Sequence, residues 1–249
     1  MDDDIITILG NRVRLRQIED GFKTSTDSVM LAAACPAQKG DSVLDLGCGV
    51  GSSGFCLLYR VPDTKLTGID VLPDHIEIAK ENASLNHKDA RAVFLVDDIR
   101  DYDPVLDGSA GFDHVICNPP FLEGGAHIKS PSARKELAIG FGEDDMDLKD
   151  WIDAAHRNLR SGGTLTTINR ADTTDKIIRE MGRRFGAIEI IPLWPKLSVS
   201  AKRVIIRGIK DRKSPSTLYP GIVMHNKDGT YSEAAEAILR DGRALHIEL

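Results

Sequence analysis

The chain has 249 residues, 41% of them hydrophobic and 28% charged, and a formal net charge of −6. That length can bury a full sheet with helices on both faces, while the acidic balance argues against a generic nucleic-acid coat. No apolar run approaches the roughly 20 residues that span a bilayer, and the start, Met1-Asp2-Asp3-Asp4, is acidic where a secretory signal is basic. The four cysteines (Cys35, Cys48, Cys56, Cys117) form no CxxC pair, so neither a metal site nor a disulfide framework is expected, and a reduced cytoplasm is.

Residues 5–17 alternate around Gly10-Asn11 and predict a hairpin, and residues 26–35 predict a helix. Residues 42–46 predict a short strand, followed by glycines and a helix over about 53–59. A second strand is predicted over 65–70, and Pro73 opens a helix to about 85, at a first-turn position where its missing N–H costs nothing. Residues 92–96 and 112–118 are the third and fourth strands, the latter with His114 and Cys117 as packing residues. A helix over about 146–159 leads through Gly162-Gly163 to a strand over 164–168, then a helix over 173–184 and strands over 187–192 and 203–208. Seven strands separated by helices predict an α/β fold with a doubly wound, mostly parallel seven-stranded sheet. Only about ten residues, without helical period, separate the last two strands, so these are expected to pair antiparallel. Residues 222–225 read as a further strand and Thr230 to Glu233 as a helix capping box. One domain over 1–249 is expected, with 1–35 as an N-terminal extension.

Open parallel sheets bind ligands beyond the carboxyl ends of their strands, where the strand order reverses. Four strand ends here carry marked residues. The first leads into Asp45-Leu46-Gly47-Cys48-Gly49-Val50-Gly51, whose glycines let backbone approach a ligand. The second ends in Asp70, suited to a ribose diol, and the third in Asp97-Asp98-Ile99, with Asp98 near a base edge. The fourth ends in Asn118-Pro119-Pro120-Phe121, which gathers a carboxamide, a carbonyl without a competing N–H, and an aromatic ring. A dinucleotide fingerprint needs glycine where Ser52 stands, and Asp45 suits an ammonium better than a pyrophosphate. A nucleoside with an amino-acid tail satisfies all of these groups, and S-adenosylmethionine is such a molecule.

In this order the motifs resemble those of class I S-adenosylmethionine-dependent methyltransferases of the amino-methylating group, with a Rossmann-like fold. Lys23-Thr24-Ser25-Thr26-Asp27 and Tyr231-Ser232-Glu233 are similar to segments of the bacterial tRNA(Val) adenine-N6 methyltransferases, which modify position 37 beside the anticodon. The resemblance runs from about residue 8 to the C-terminus, with Phe121 standing where many relatives have tyrosine. It implies cofactor contacts at Asp45, Gly47, Gly49, Gly51, Asp70, Asp98, Asn118, Thr26 and Asp27, with Asn118, Pro119 and Phe121 acting on the substrate. A second role for Asp27 is equally open, as a cap of its own helix.

An exocyclic amine is a poor nucleophile because its lone pair is delocalised into the ring. Two acceptors, the Asn118 side-chain oxygen and the Pro119 carbonyl, would orient it toward a sulfonium methyl, each bond contributing about 1 kcal/mol. Phe121 would stack on the base, a contact of roughly 1–3 kcal/mol that offsets unstacking of the nucleotide. The same tetrapeptide serves guanine N2 in ribosomal RNA or a protein glutamine amide. RNA is favoured by seven basic residues against one acid, Asp211, between Lys196 and Lys213, with a second basic group at Arg12, Arg14, Arg16 and Lys23. The segment after the tetrapeptide, with Gly124-Gly125, Lys129, Arg134 and Lys135, is expected to order over the RNA.

Overall fold

The computed structural model describes residues 5–18, 24–104, 111–120 and 146–246. The tip of the predicted N-terminal hairpin is made by Leu9, Gly10 and Asn11, all at positive φ, so that β1 (Ile5–Ile8) and β2 (Val13–Arg16) pair antiparallel. This hairpin is held to the rest of the chain by two asparagines. Asn82 Oδ1 accepts the Arg16 N–H at 2.7 Å and Asn86 Oδ1 accepts the Arg14 N–H at 2.9 Å.

Helix α1 (Thr26–Ala34) follows, then β3 (Ser42–Leu46), α2 (Ser52–Arg60), β4 (Lys65–Asp70), α3 (Pro73–Leu85), β5 (Ala92–Val96) and β6 (Phe112–Cys117). Helix α4 (Leu148–Asn158) opens on a reciprocal Asp147/Asp150 capping box and runs into β7 (Leu159–Arg170). Helix α5 (Thr174–Met181), β8 (Phe185–Trp194), β9 (Arg203–Lys210), the two-residue strands β10 (Thr217–Leu218) and β11 (Ile222–Val223), and α6 (Glu233–Leu239) complete the chain.

The strands lie in the order β10-β8-β9-β7-β6-β3-β4-β5, with β11 also paired to β8. β9 is antiparallel to both of its neighbours, β7 and β8, and every other pair in this sheet is parallel. The strand order therefore reverses at β3, between β4 and β6, which places the crevice beyond the ends of these three strands. Leu31, Leu57, Ile76 and Ile238 of α1, α2, α3 and α6 pack in one core, and Ile152 and Ile177 of α4 and α5 pack with Leu44 and Val115 in another. Among the described residues no helix is long and apolar enough to cross a membrane.

Three details differ from the sequence reading. The strand predicted over 164–168 begins at Leu159 and runs through Gly162-Gly163, because a register shift against β6 lets the chain bulge there without leaving the sheet. The seven core strands are extended in parallel at the edge strand β8 by β11, which forms at Ile222–Val223 within the strand expected over 222–225, and by β10, which is not predicted and is too short to show a periodic pattern. Helix α6 is capped by Ser232, whose Oγ accepts the Ala235 N–H at 3.1 Å, and not by Thr230, whose hydroxyl is spent on Asp228 at 2.7 Å.

At the end of the sheet opposite the crevice, His114 does more than pack. Its Nε2 lies 2.9 Å from Asp41 and its Nδ1 2.7 Å from Thr164 Oγ1, so the ring ties three segments together. Burial lowers its pKa from the ordinary 6.5, outweighing Asp41. As acid is added the unfolded chain takes up the proton before the folded one does. The stabilisation is therefore fully present above about 6.5 and is lost as pH falls toward the folded value. Thermal melts should show a Tm gap between the wild type and His114→Gln that narrows from pH 7 to pH 5; a constant gap would mean that the neutral ring is not the bridging form.

Candidate active site

Between β3 and α2 the chain must turn sharply twice in the space of five residues. Gly47 and Gly49 adopt φ of 63° and 54°, and the Gly51 N–H closes a turn on the Cys48 carbonyl at 2.9 Å. Gly51 itself, at φ 86°, caps α2 through its backbone alone and does not line the cleft. The backbone left exposed by these turns forms one wall of a cleft of about 390 Å³.

Gly47 is required for a second reason. A Cβ there would sit 2.5 Å from the Trp151 ring, which covers this turn from α4. Gly47→Ala should destabilise the fold by about 1–3 kcal/mol through the left-handed backbone and displace the indole from the cleft wall. A lowered Tm with altered tryptophan fluorescence checks this, and an unchanged spectrum would exclude the displacement.

The ends of β4 and β5 continue the lining beside this turn. Asp70 accepts the Gly49 N–H at 2.9 Å and the Leu72 N–H at 3.0 Å, so its carboxylate is locked to the glycine turn, with His75 Nδ1 3.3 Å away. Beyond β5 it is Asp97 and Ile99, not Asp98, that line the cleft. The Asp98 carboxylate is held by Arg100, at 2.6 Å from Nη2 and 3.0 Å from Nε, and this pairing lowers its pKa.

The floor carries two orphaned acceptors. Asp45 is 3% exposed, and its Oδ2 has no hydrogen-bond partner among the described residues. Burial pushes its pKa up to about 8, the Gly54 backbone N–H opposing and the Asp70 charge adding to the effect. Asn118 Oδ1, just past the end of β6, is likewise buried without a partner, and Pro119 and Pro120 line the cleft beside it. Phe121 and the loop expected to order over RNA lie outside the described residues.

The segment before β3 closes the fourth side. Thr24, Ser25, Asp27 and Ser28 line the cleft, while Thr26 is exposed and outside it. Ser25 caps α1, its Oγ 3.3 Å from the Asp27 N–H, which frees Asp27 from the capping role. Asp27 instead takes the Arg203 Nε at 2.8 Å, joining α1 to the start of β9. Thr24 Oγ1 reaches Ser52 Oγ at 2.6 Å, so the residue that replaces the third fingerprint glycine fastens this segment to α2.

Sequence reasoning thus placed Asp45, Gly47, Gly49, Asp70, Asn118, Pro119 and Asp27 at one cleft, and missed Trp151, His75 and Arg203. Part of the basic stretch is half-buried and spent on contacts within the fold. Arg207 pairs with Glu189 and the Ala34 carbonyl, and Lys210 donates to the carbonyls of His156 and Leu159.

Comparison with known proteins gives the same picture. The methyltransferase small domain family matches residues 23–137. A Porphyromonas gingivalis (strain W83) protein named tRNA1(Val) (adenine(37)-N6)-methyltransferase is 30% identical over 223 residues, covering 85% of this chain and 84% of its own length. A protein of the same name from Shewanella baltica (strain OS195) is 24% identical, covering 89% and 92%. The crystal structure of a predicted O-methyltransferase from Agrobacterium tumefaciens superposes with a TM-score of 0.71 at 24% identity, covering 89% of this chain and 99% of that one, which establishes the shared fold. The chain belongs to the S-adenosylmethionine-dependent methyltransferase family that includes the bacterial tRNA1(Val) (adenine(37)-N6)-methyltransferases.

Proposed function

We propose that this methyltransferase modifies an exocyclic base amine of RNA, adenine N6 at position 37 of a tRNA(Val)-like substrate in the cytoplasm. The observation that carries the amine is the orphaned, buried Asn118 Oδ1 at the cleft floor. A buried acceptor without a donor is unfavourable by about 1–3 kcal/mol, so the site is complete only when an N–H arrives there. The adenine and the tRNA rest on the names of the relatives, at 24% and 30% identity.

The residues fit the cofactor. Asp45 Oδ2, buried and unpartnered, matches the ammonium of its amino-acid tail, and Asp70, already oriented by the Gly49 N–H, matches the ribose hydroxyls. Asp97 and Ile99 border the space for its adenine, with Asp98 shaping that turn through Arg100. When bound, S-adenosylmethionine supplies an electrophilic methyl on a sulfonium. Asn118 Oδ1 and the Pro119 carbonyl accept the two N–H bonds of the target amine and hold its nitrogen in line with that methyl. Phe121 is the stacking platform for the base. No strong general base is needed, because the methylated nitrogen is acidic and loses its proton late.

Incubation with labelled S-adenosylmethionine and unmodified bulk tRNA, followed by digestion to nucleosides, tests this directly. Label is expected in N6-methyladenosine. Label in N2-methylguanosine would move the substrate to guanine, and label in protein alone would move it to a glutamine amide.

A further inference from the structure

The cleft wall is acidic. Asp27, Asp45, Asp70 and Asp97 line it, and Arg203, the one Lys or Arg among the described lining residues, is already paired with Asp27. A polyanionic substrate approaching this wall must be held by cations close by, and the structure offers a built frame for them. β8 runs parallel to the core strands, so its end at Trp194 lies at the same end of the sheet as the cleft, and β9 returns from that end at Arg203, which lines the cleft. The connecting loop carries Lys196 and Lys202, with Leu197 at 70% exposure between them.

This loop is locked to a second one. β11 pairs with the end of β8, the Met224 N–H donates to the Trp194 carbonyl at 2.7 Å, and the His225 N–H donates to the Pro195 carbonyl at 3.1 Å. The Trp194 indole N–H donates to the Pro220 carbonyl at 2.8 Å. The turn that follows is closed by the Asn226 N–H on the Thr230 carbonyl at 2.8 Å and by the His225 and Tyr231 rings, stacked 4.8 Å apart. It presents Lys227, whose carbonyl accepts from Lys196 Nζ at 3.4 Å.

Resting on the RNA reading above, we propose that the joined 195–202 loop and 225–231 turn form the surface that grips RNA phosphates beside the target base, through Lys196, Lys202 and Lys227. A frame fixed by backbone hydrogen bonds loses little backbone freedom on binding, and the exposed Leu197 between the cations offers an apolar face to neighbouring bases. The C-terminal segment thereby gains a role that its two-residue strands do not explain.

The test compares tRNA binding over a range of salt for the wild type, Lys202→Ala with Lys227→Ala, the triple alanine variant including Lys196→Ala, and the triple arginine variant. The triple alanine variant should bind unmodified tRNA about tenfold or more weakly at roughly 0.1 M salt, with a slope of log K against log salt reduced by about 2–3. The double variant should fall between, the arginine variant should match the wild type, and S-adenosylmethionine affinity should not change. If the wild type methylates tRNA yet the triple alanine variant binds it with an unchanged slope, the surface is wrong although the function stands. Loss confined to variants of Lys196 with a lowered Tm would assign the effect to its tie with Lys227 and overturn the proposal. Unchanged tRNA binding with loss of affinity for polyglutamate would assign the surface to an acidic protein. A wild type that modifies no RNA at all overturns the RNA reading itself.

Discussion

Asp45→Asn is expected to raise the Tm of the ligand-free protein while weakening its hold on S-adenosylmethionine. The carboxylate sits 3% exposed at the end of β3 with an unpartnered oxygen and with Asp70 near enough to oppose its charge. Its pKa, near 4 in an unfolded chain, is pushed to about 8 in the fold. The sign follows from proton counting. Between these values the folded state holds a proton that the unfolded state has released, so the stabilisation is present in acid and is lost as pH rises toward 8. At pH 8 and above the fold carries a bare buried charge, unfavourable on the order of a few kcal/mol, and the neutral amide removes it. Each kcal/mol recovered should appear as about 2–4 °C in Tm for a chain of this size.

Binding reverses the balance. An ammonium placed against Asp45 drives off its proton, so cofactor affinity should climb from pH 6 to 7, by up to about tenfold, and level off near 8, where an α-amino group itself begins to titrate. In Asp45→Asn the climb should disappear, with affinity at pH 7.5 lower by about 10–100-fold for the lost charge-assisted bond. Calorimetry in two buffers of different ionisation heat reads the released proton directly. A wild-type affinity that is flat from pH 6 to 7, with no proton release, would show that Asp45 is not the partner of the ammonium.

The legible part of this site is the part written at strand ends. Each parallel strand presents its last residues to the crevice, so Asp45, Asp70 and Asn118 could be read from an apolar run followed by a polar residue and a turn. What escaped depends on distances that sequence does not encode. Arg203 meets Asp27 across 176 residues, and nothing local to either position distinguishes that pair from a solvated charge. Trp151 reads as one more apolar position on an amphipathic helix, and only the absence of a Cβ at Gly47 lets its ring reach the cleft. The choice between Asp97 and Asp98 turns on a single step of backbone, decided by Arg100 drawing Asp98 aside. The basic stretch misled for a related reason. Charge counting sees Arg207 and Lys210 as surface, whereas their side chains reach inward to a carboxylate and to backbone carbonyls.

Asn118→Ala should lower kcat by about 10²–10³ while leaving S-adenosylmethionine affinity within about threefold of the wild type. The asymmetry follows from where the side chain stands. Its Oδ1 is buried at the cleft floor beside Pro119 and has no hydrogen-bond partner among the described residues, so deleting that oxygen breaks no described bond of the ligand-free fold. The Tm should therefore stay level or rise slightly, as it does when an unsatisfied buried polar group is deleted. What disappears is the acceptor that fixes the target amine, and with it the alignment of nitrogen and methyl; the Pro119 carbonyl alone leaves the amine free to swing about one bond. Asn118→Asp keeps an acceptor oxygen in place and should retain more activity than alanine. Single-turnover rates with saturating tRNA separate this from binding. If alanine lost cofactor affinity and rate together, Asn118 would be shaping the pocket and the transfer geometry would have to be assigned to other groups; if aspartate were no better than alanine, the acceptor role would fall.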